Sequence, residues 1–363
     1  MNRTGTDLHM HAPATVLSRR GALAALAALA AGACTLPLAG CNDAGTSVSA
    51  SSKDAPANGS TFAFDTYCSF TVYGDDAALA RLSEACAHYD ALFNGYDGES
   101  DIARINAAAG APVEVDPACA DIIAQALAWC EQADGLFDIT IGAVSYLWDF
   151  EDGIKPSDDE IAAALTHVDW RGVHVDTKAN TVQLDDPAAR LDLGGIAKGY
   201  VADRLVELLR DETEASAAMI SLGGNIALFG EKPDGSPWAI GVRDPNDPGG
   251  STTVGTVYLD REASVVTSGL YERTFELDGI TYWHILDPRC GMPVATDTVS
   301  DTVVCPSSTT ADALSTTLFV AGSARGSEIA DAHDDTAAFF LLQDGSAAES
   351  TRWQDLTDFD AKA

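Results

Sequence analysis

An α+β fold is predicted from three features of the sequence. Short runs of alternating apolar and polar residues, rich in β-branched and aromatic side chains, recur along the chain. Longer stretches with apolar residues every three or four positions lie between them. One of these long stretches starts directly at a glycine turn that closes a strand. The 363 residues can bury a large core, and 46% hydrophobic with 21% charged content is that of a globular protein. Mixed sheets with packed helices and a smaller lobe are expected.

The first 41 residues read as an export leader rather than as fold. Arg3, Arg19 and Arg20 are basic, residues 21–40 are uncharged and rich in Ala and Leu, and Leu38-Ala39-Gly40-Cys41 has the pattern of a lipoprotein cleavage site. Cys41 is the expected lipidation site, and an ordinary signal peptide or an uncleaved anchor are the alternatives. The pair Arg19-Arg20 also resembles a twin-arginine signal, so two export routes stay open. Residues 42–60, mostly Ser, Ala, Gly and Asn, are expected to be a flexible tether, and residues 61–355 the folded domain.

Within that domain a strand is expected over 61–73 and helices over 75–93, 101–107, 117–133 and 157–165. A hairpin is expected over 171–191. Beyond the central helix, strands are expected over 218–230, 238–242, 253–259, 264–269, 302–305 and 337–342, and a helix over 309–320. Asp278-Gly279 between two alternating runs is a strong hairpin signal.

The net charge of −34 opposes non-specific nucleic-acid binding, which needs basic patches. It also means that an anionic ligand requires a metal or a local cation. Of eight cysteines, Cys68, Cys86, Cys119, Cys130, Cys290 and Cys305 lie beyond the leader. They show no Cys-x-x-Cys spacing, so zinc and iron–sulfur sites are not expected, and disulfides and buried thiols both remain open.

Three stretches carry candidate chemistry. The stretch from Leu191 to Tyr200 holds Asp192, Gly194, Gly195 and Lys198 at a strand-to-helix turn, where bare backbone and free N–H groups admit an anion or a metal. It is neither a P-loop nor Gly-x-Gly-x-x-Gly, and alone it reads equally well as a packing turn. In the stretch 311–317, Asp312 and Thr316 fall on one helix face, a hard-oxygen pair suited to Mg²⁺, although alone the stretch reads better as a helix N-terminal acid with a buried threonine. In the stretch 282–291, His284 precedes a Pro/Gly turn, where a histidine can act as a general base or be merely structural.

Six segments occur in order: Asp134-Gly135-Leu136-Phe137-Asp138; Asp192 through Gly199; Ser221-Leu222-Gly223-Gly224-Asn225; Thr267-Ser268-Gly269; His284 through Pro288; and Ala311 through Thr316. Together they resemble the ApbE family of FAD:protein FMN transferases over residues 61–345, with its T-fold-like architecture. The resemblance implies that FAD and Mg²⁺ are bound, and that FMN moves from FAD to a Thr or Ser hydroxyl of an exported flavoprotein, releasing AMP. It places metal ligands at Asp312, Thr316 and the Gly195 backbone oxygen, with Ser315 adjacent. It places FAD contacts at Phe64, Tyr96, Leu136, Phe137, Asp138, Asp192, Lys198 and Leu286, and a catalytic role at His284. With the leader, it implies a lipid anchor on the outer face of the cytoplasmic membrane. Two departures stand out: Phe64-Asp65-Thr66 replaces the frequent Met-Gly-Thr, and Cys290 replaces a frequent Thr. An FAD pyrophosphatase and a non-enzymatic FAD-binding lipoprotein are the alternative readings.

Overall fold

The computed structural model describes residues 55–247 and 252–362, so the leader and Cys41 lie outside the described residues. The chain opens with a hairpin, β1 (Ala57–Ala63) and β2 (Thr66–Tyr73). A single strand was expected over 61–73. The turn that splits it is Phe64-Asp65, both left-handed at φ 54° and 56° without a glycine. The tether expected over 42–60 therefore ends early, because Ala57 is already paired with Val72.

Next come α1 (Ala78–Phe93), α2 (Asp101–Ala107), β3 (Val113–Glu114), α3 (Pro117–Gln132), α4 (Gly142–Ser145), α5 (Asp158–Leu165), β4 (Val173–Asp176) and β5 (Thr181–Leu184). Their starts follow local chemistry. Ser157 and Glu160 form a reciprocal cap on α5, and Asp116 caps α3 ahead of Pro117. The central helix α6 (Ala197–Glu212) leads into β6 (Ala217–Leu222) and β7 (Asn225–Phe229). The strand expected over 218–230 is thus two, split at Gly223 and Gly224, whose φ values of 58° and 95° make a tight reversal.

The remaining elements are β8 (Trp238–Arg243), β9 (Thr253–Leu259), β10 (Ser264–Gly269), β11 (Thr274–Leu277), β12 (Ile280–Trp283), β13 (Thr298–Cys305), α7 (Ser308–Ala321), α8 (Ser323–Asp331), β14 (Ala337–Leu342), β15 (Ala347–Glu349), α9 (Trp353–Leu356) and β16 (Asp358–Ala361). Since β16 pairs with β9, the fold runs past the boundary expected at residue 355.

One eight-stranded sheet, in the order β1-β2-β6-β7-β10-β13-β14-β15, organises the molecule. The mixed sheets that were expected are antiparallel at every named strand pair among the described residues. Strand alternation gives the large sheet two apolar faces. Phe70, Ile220 and Val303 join Leu205 and Leu314 of the helices, whereas Leu228, Val265 and Val304 join Trp238, Val257 and Trp353 on the other side. The smaller sheets, including the expected smaller lobe, belong to the same compact unit as the large one. All six described cysteines are free thiols. No described helix is long and apolar enough to cross a membrane.

Candidate active site

The glycine turn ahead of α6 is held from several sides. Asn106 brackets Leu191, accepting from its N–H at 2.6 Å and donating to its carbonyl at 3.0 Å. Tyr146 Oη donates to the same carbonyl at 2.8 Å, and Asp192 N–H donates to Ile139 O at 2.8 Å. The Asp192 carboxylate accepts from Ser145 Oγ at 2.6 Å and from Gly194 N–H at 2.8 Å. Asp192 thus folds the turn through its own side chain, as Asp does in loops.

Two glycines then let α6 meet α7. A Cβ on Gly195 would lie 2.9 Å from Phe137 Cε2 and 3.2 Å from Thr316 Oγ1. A Cβ on Gly199 would collide with the Ser308 carbonyl oxygen and stand 2.6 Å from Asp312 Cβ. The bare Gly199 N–H donates instead to Asp312 Oδ2 at 2.8 Å. Asp203, one turn further along α6, accepts from Ser308 N–H at 2.8 Å and Thr309 N–H at 2.9 Å, capping α7 from outside its own chain segment.

Asp312 is buried, and burial raises its pKa above the ordinary carboxylate range. The Lys198 charge and the Gly199 N–H pull it back down. Asn225 lies close enough to act on the same carboxyl, yet its Nδ2 closes no hydrogen bond of proper geometry; only its Oδ1 is satisfied, by Ser308 Oγ at 2.6 Å. Lys198 also acts on His284. The residue is half-buried with its Nδ1 enclosed and without a partner, and desolvation, then Arg273 and Lys198, lower its pKa to about 3. His284 is therefore neutral at pH 7.

The structure sorts the expected residues. Gly195, Asp312 and Thr316 converge at the crossing of α6 and α7, with Lys198 beside them. Ser315 Oγ donates to the Asp312 carbonyl at 3.0 Å and lies 2.9 Å from Ser268 Oγ, which braces α7 against β10. Phe137 packs against the glycine turn, and Leu136 is half-buried beside it. Both Asp138 oxygens are committed, one to Thr140 N–H and Oγ1 at 2.8 and 2.6 Å and the other to Trp170 N–H at 3.2 Å, so its carboxyl builds the loop. Leu286 packs into a small core with Val144, Trp148 and Ile161. Tyr96 is exposed, edge-on to Tyr146 at 5.1 Å. Phe64 sits in its left-handed turn with its N–H donating to Asp90 at 2.9 Å.

Three residues escaped the sequence reading: Asp203, Asn225 and Arg273. Arg273 reaches His284 electrostatically, accepts the His284 N–H at its carbonyl and pairs with Asp65 at 3.1 Å. Only Asn225 had a signal, its place after Gly223-Gly224. A cavity of about 340 Å³ lies along α6 between Arg204, Arg210 and Glu262, but those arginines already pair with Glu207 and Glu262 and no expected site residue lines it.

This fold and site define the class. The ApbE family model matches residues 64–340, and the chain belongs to that family. It is 36% identical over 301 residues to an FAD:protein FMN transferase of Treponema pallidum, covering 77% of this chain and 82% of the relative. It superposes on the crystal structure of the ApbE protein of Thermotoga maritima with a TM-score of 0.76 at 31% identity, covering 83% and 99% of the two chains. The flavin transferase ApbE of Vibrio cholerae gives a TM-score of 0.72 at 25% identity, covering 83% and 98%.

Proposed function

We propose that this protein is an FAD:protein FMN transferase that is Mg²⁺-dependent and modifies a Thr or Ser hydroxyl of an exported flavoprotein. The observation that carries this reading is the crossing of α6 and α7. There a buried carboxylate, a hydroxyl and a bare glycine backbone meet next to Lys198 and a neutral histidine whose enclosed Nδ1 lacks a hydrogen-bond partner.

The donor set fits magnesium. Among the described residues no group of three His, Cys, Asp or Glu could hold a metal. A site with one carboxylate, Asp312, plus Thr316 Oγ1 and the Gly195 carbonyl suits a cation that keeps waters and takes its remaining ligands from phosphates. When bound, Mg²⁺ would offset the charge of the FAD diphosphate and of the departing phosphate.

The chain's own residues do the rest. Lys198 supplies a positive charge beside Asp312, which an acidic protein needs to admit a diphosphate. Tyr96 offers an exposed ring to the flavin or adenine, and Phe137 backs the glycine turn beneath them. In the transfer, the acceptor oxygen forms a bond to the FMN phosphorus, the phosphoanhydride bond breaks, and AMP leaves with the bridging oxygen. The hydroxyl proton passes to a base, and His284 Nδ1, neutral and unpartnered, is assigned that role. Phe64, Asp192 and the backbone of Asp138 complete the dinucleotide site in this reading. Lipidation at Cys41 would hold the enzyme on the outer face of the cytoplasmic membrane.

The test incubates the mature protein with FAD, Mg²⁺ and an acceptor domain, then measures acceptor mass and free AMP. An FMN-sized gain with matching AMP is expected. Free FMN plus AMP with an unmodified acceptor would establish the pyrophosphatase instead, and no cleavage would leave binding alone.

A further inference from the structure

The large exposed apolar side chains of this molecule are not scattered. Phe62, Tyr67, Leu147, Ile154, Leu277 and Ile280, with Tyr96, make up that set among the described residues. Every one lies on a segment that borders the site. Phe62 and Tyr67 are directly paired across the β1–β2 hairpin, next to the turn that carries Phe64. Leu277 and Ile280 are paired at the tip of the β11–β12 hairpin, which continues into His284. The Asp65–Arg273 ion pair joins the turn of the β1–β2 hairpin to the foot of the β11–β12 hairpin. Ile154 follows Gly153, which packs on Phe275 of the same β11–β12 hairpin, and Leu147 follows Tyr146, which clamps the glycine turn.

Burial decides what these residues are for. On the β11–β12 hairpin the next pair inward, Phe275 and Tyr282, is anchored on Trp148 and Phe150. Leu277 and Ile280 share that face of the hairpin but remain 40% and 55% exposed, and Phe62 and Tyr67 are 71% and 65% exposed. Exposed apolar pairs on two hairpins linked by an ion pair, on a chain carrying a net charge of −34, mark an interaction surface.

We infer that the tips of the β1–β2 and β11–β12 hairpins form the docking rim for the acceptor protein, gripping apolar side chains that flank its flavinylated hydroxyl. This rests on the transferase reading above. The charges of the rim favour an acceptor segment that is neutral or basic: Glu276 and Asp278 stand on the β11–β12 hairpin, Glu272 just before it pairs with Arg243, and Asp65 pairs with Arg273. The same carboxylates disfavour an anionic membrane surface and a second, equally acidic copy of this chain.

The experiment uses an acceptor domain that the wild-type enzyme flavinylates, and two double variants, Leu277→Ser/Ile280→Ser and Phe62→Ser/Tyr67→Ser. The rim predicts that KM for the acceptor rises about tenfold or more in each, as for central interface side chains. The kcat at saturating acceptor, FAD affinity by flavin fluorescence and Tm are expected to stay at wild-type values. An unchanged acceptor KM in both variants overturns the inference. So does an unchanged KM accompanied by lost flotation with phosphatidylglycerol-containing vesicles, or by loss of a dimer in light scattering, because the rim would then serve a membrane or a second copy. A wild-type enzyme that modifies no acceptor overturns the transferase reading itself, and is distinguished by failing before any rim residue is changed.

Discussion

Two buried aspartates lie eleven positions apart and meet opposite circumstances. Asp312, on α7, accepts a hydrogen bond from Gly199 N–H and feels the Lys198 charge. Asp301, in the middle of β13, is fully enclosed, and neither of its oxygens closes a hydrogen bond. Burial raises both pKa values, but for Asp301 it drives the carboxyl well above its ordinary range with little to oppose it beyond nearby backbone N–H groups. The difference teaches that enclosure alone does not make a carboxyl functional. Asp312 has a helix start, a cation and a facing hydroxyl around it, whereas Asp301 is a carboxyl enclosed in a sheet where burial opposes its ionisation.

The sharpest way to break this comparison is to remove each carboxyl. Asp312→Ala is expected to lower kcat/KM by about a thousandfold or more while the fold survives, since it removes an electrostatic anchor of the reacting phosphate. Full turnover in that variant, measured as AMP release, would end the metal assignment. Asp301→Val is expected to leave turnover intact and to stabilise the fold by about 1–3 kcal/mol, the usual cost of an unmade buried hydrogen bond. Its sign has a pH signature. The folded pKa of Asp301 is raised, so its penalty grows as pH rises above the ordinary carboxylate value, and the gain in Tm from Asp301→Val should be larger at pH 8 than at pH 4.

A second change tests the crossing itself. Gly199→Ala places a methyl group against the Ser308 carbonyl and Asp312 Cβ, where both neighbours are helix α7. A loss of about 1–3 kcal/mol is expected from overpacking, together with reduced activity from a displaced Asp312. Unfolding and AMP-release measurements on one preparation would read both.

The smallest expected effect on stability concerns His284. Its folded pKa, lowered to about 3, lies below the unfolded value of 6.5. The unfolded chain then binds more protons between those values, so stability declines as pH falls from about 6.5 towards 3. His284→Gln should flatten part of that decline in Tm. The same shift means that the pH profile of transfer should show no histidine limb near 6.5, and a limb there that vanishes in His284→Gln would contradict the neutral assignment.

How much of this was legible in the sequence depended on distance along the chain. The glycine turn, Lys198 and the Asp312/Thr316 spacing are local patterns, and they fall where the spacing put them. The Asp278-Gly279 turn was likewise readable, and its left-handed residues match the hairpin rule. The Phe64-Asp65 turn was not, because neither residue announces a positive φ. Asp203 capping α7 joins residues over a hundred positions apart, and no local pattern encodes such a partnership. Leu286 and Ser315 show a different limit. A motif places a residue near the chemistry, while packing alone decides that one side chain faces a core and the other faces Ser268.

Asp203 and Gly199 stand one turn apart on α6, and each holds a different point on α7. Two such attachments forbid α7 to roll about its own axis, because any rotation must break one of them. The orientation of Asp312 and Thr316 is thereby inherited from α6, so a cation taken up at the crossing would find both side chains already aimed.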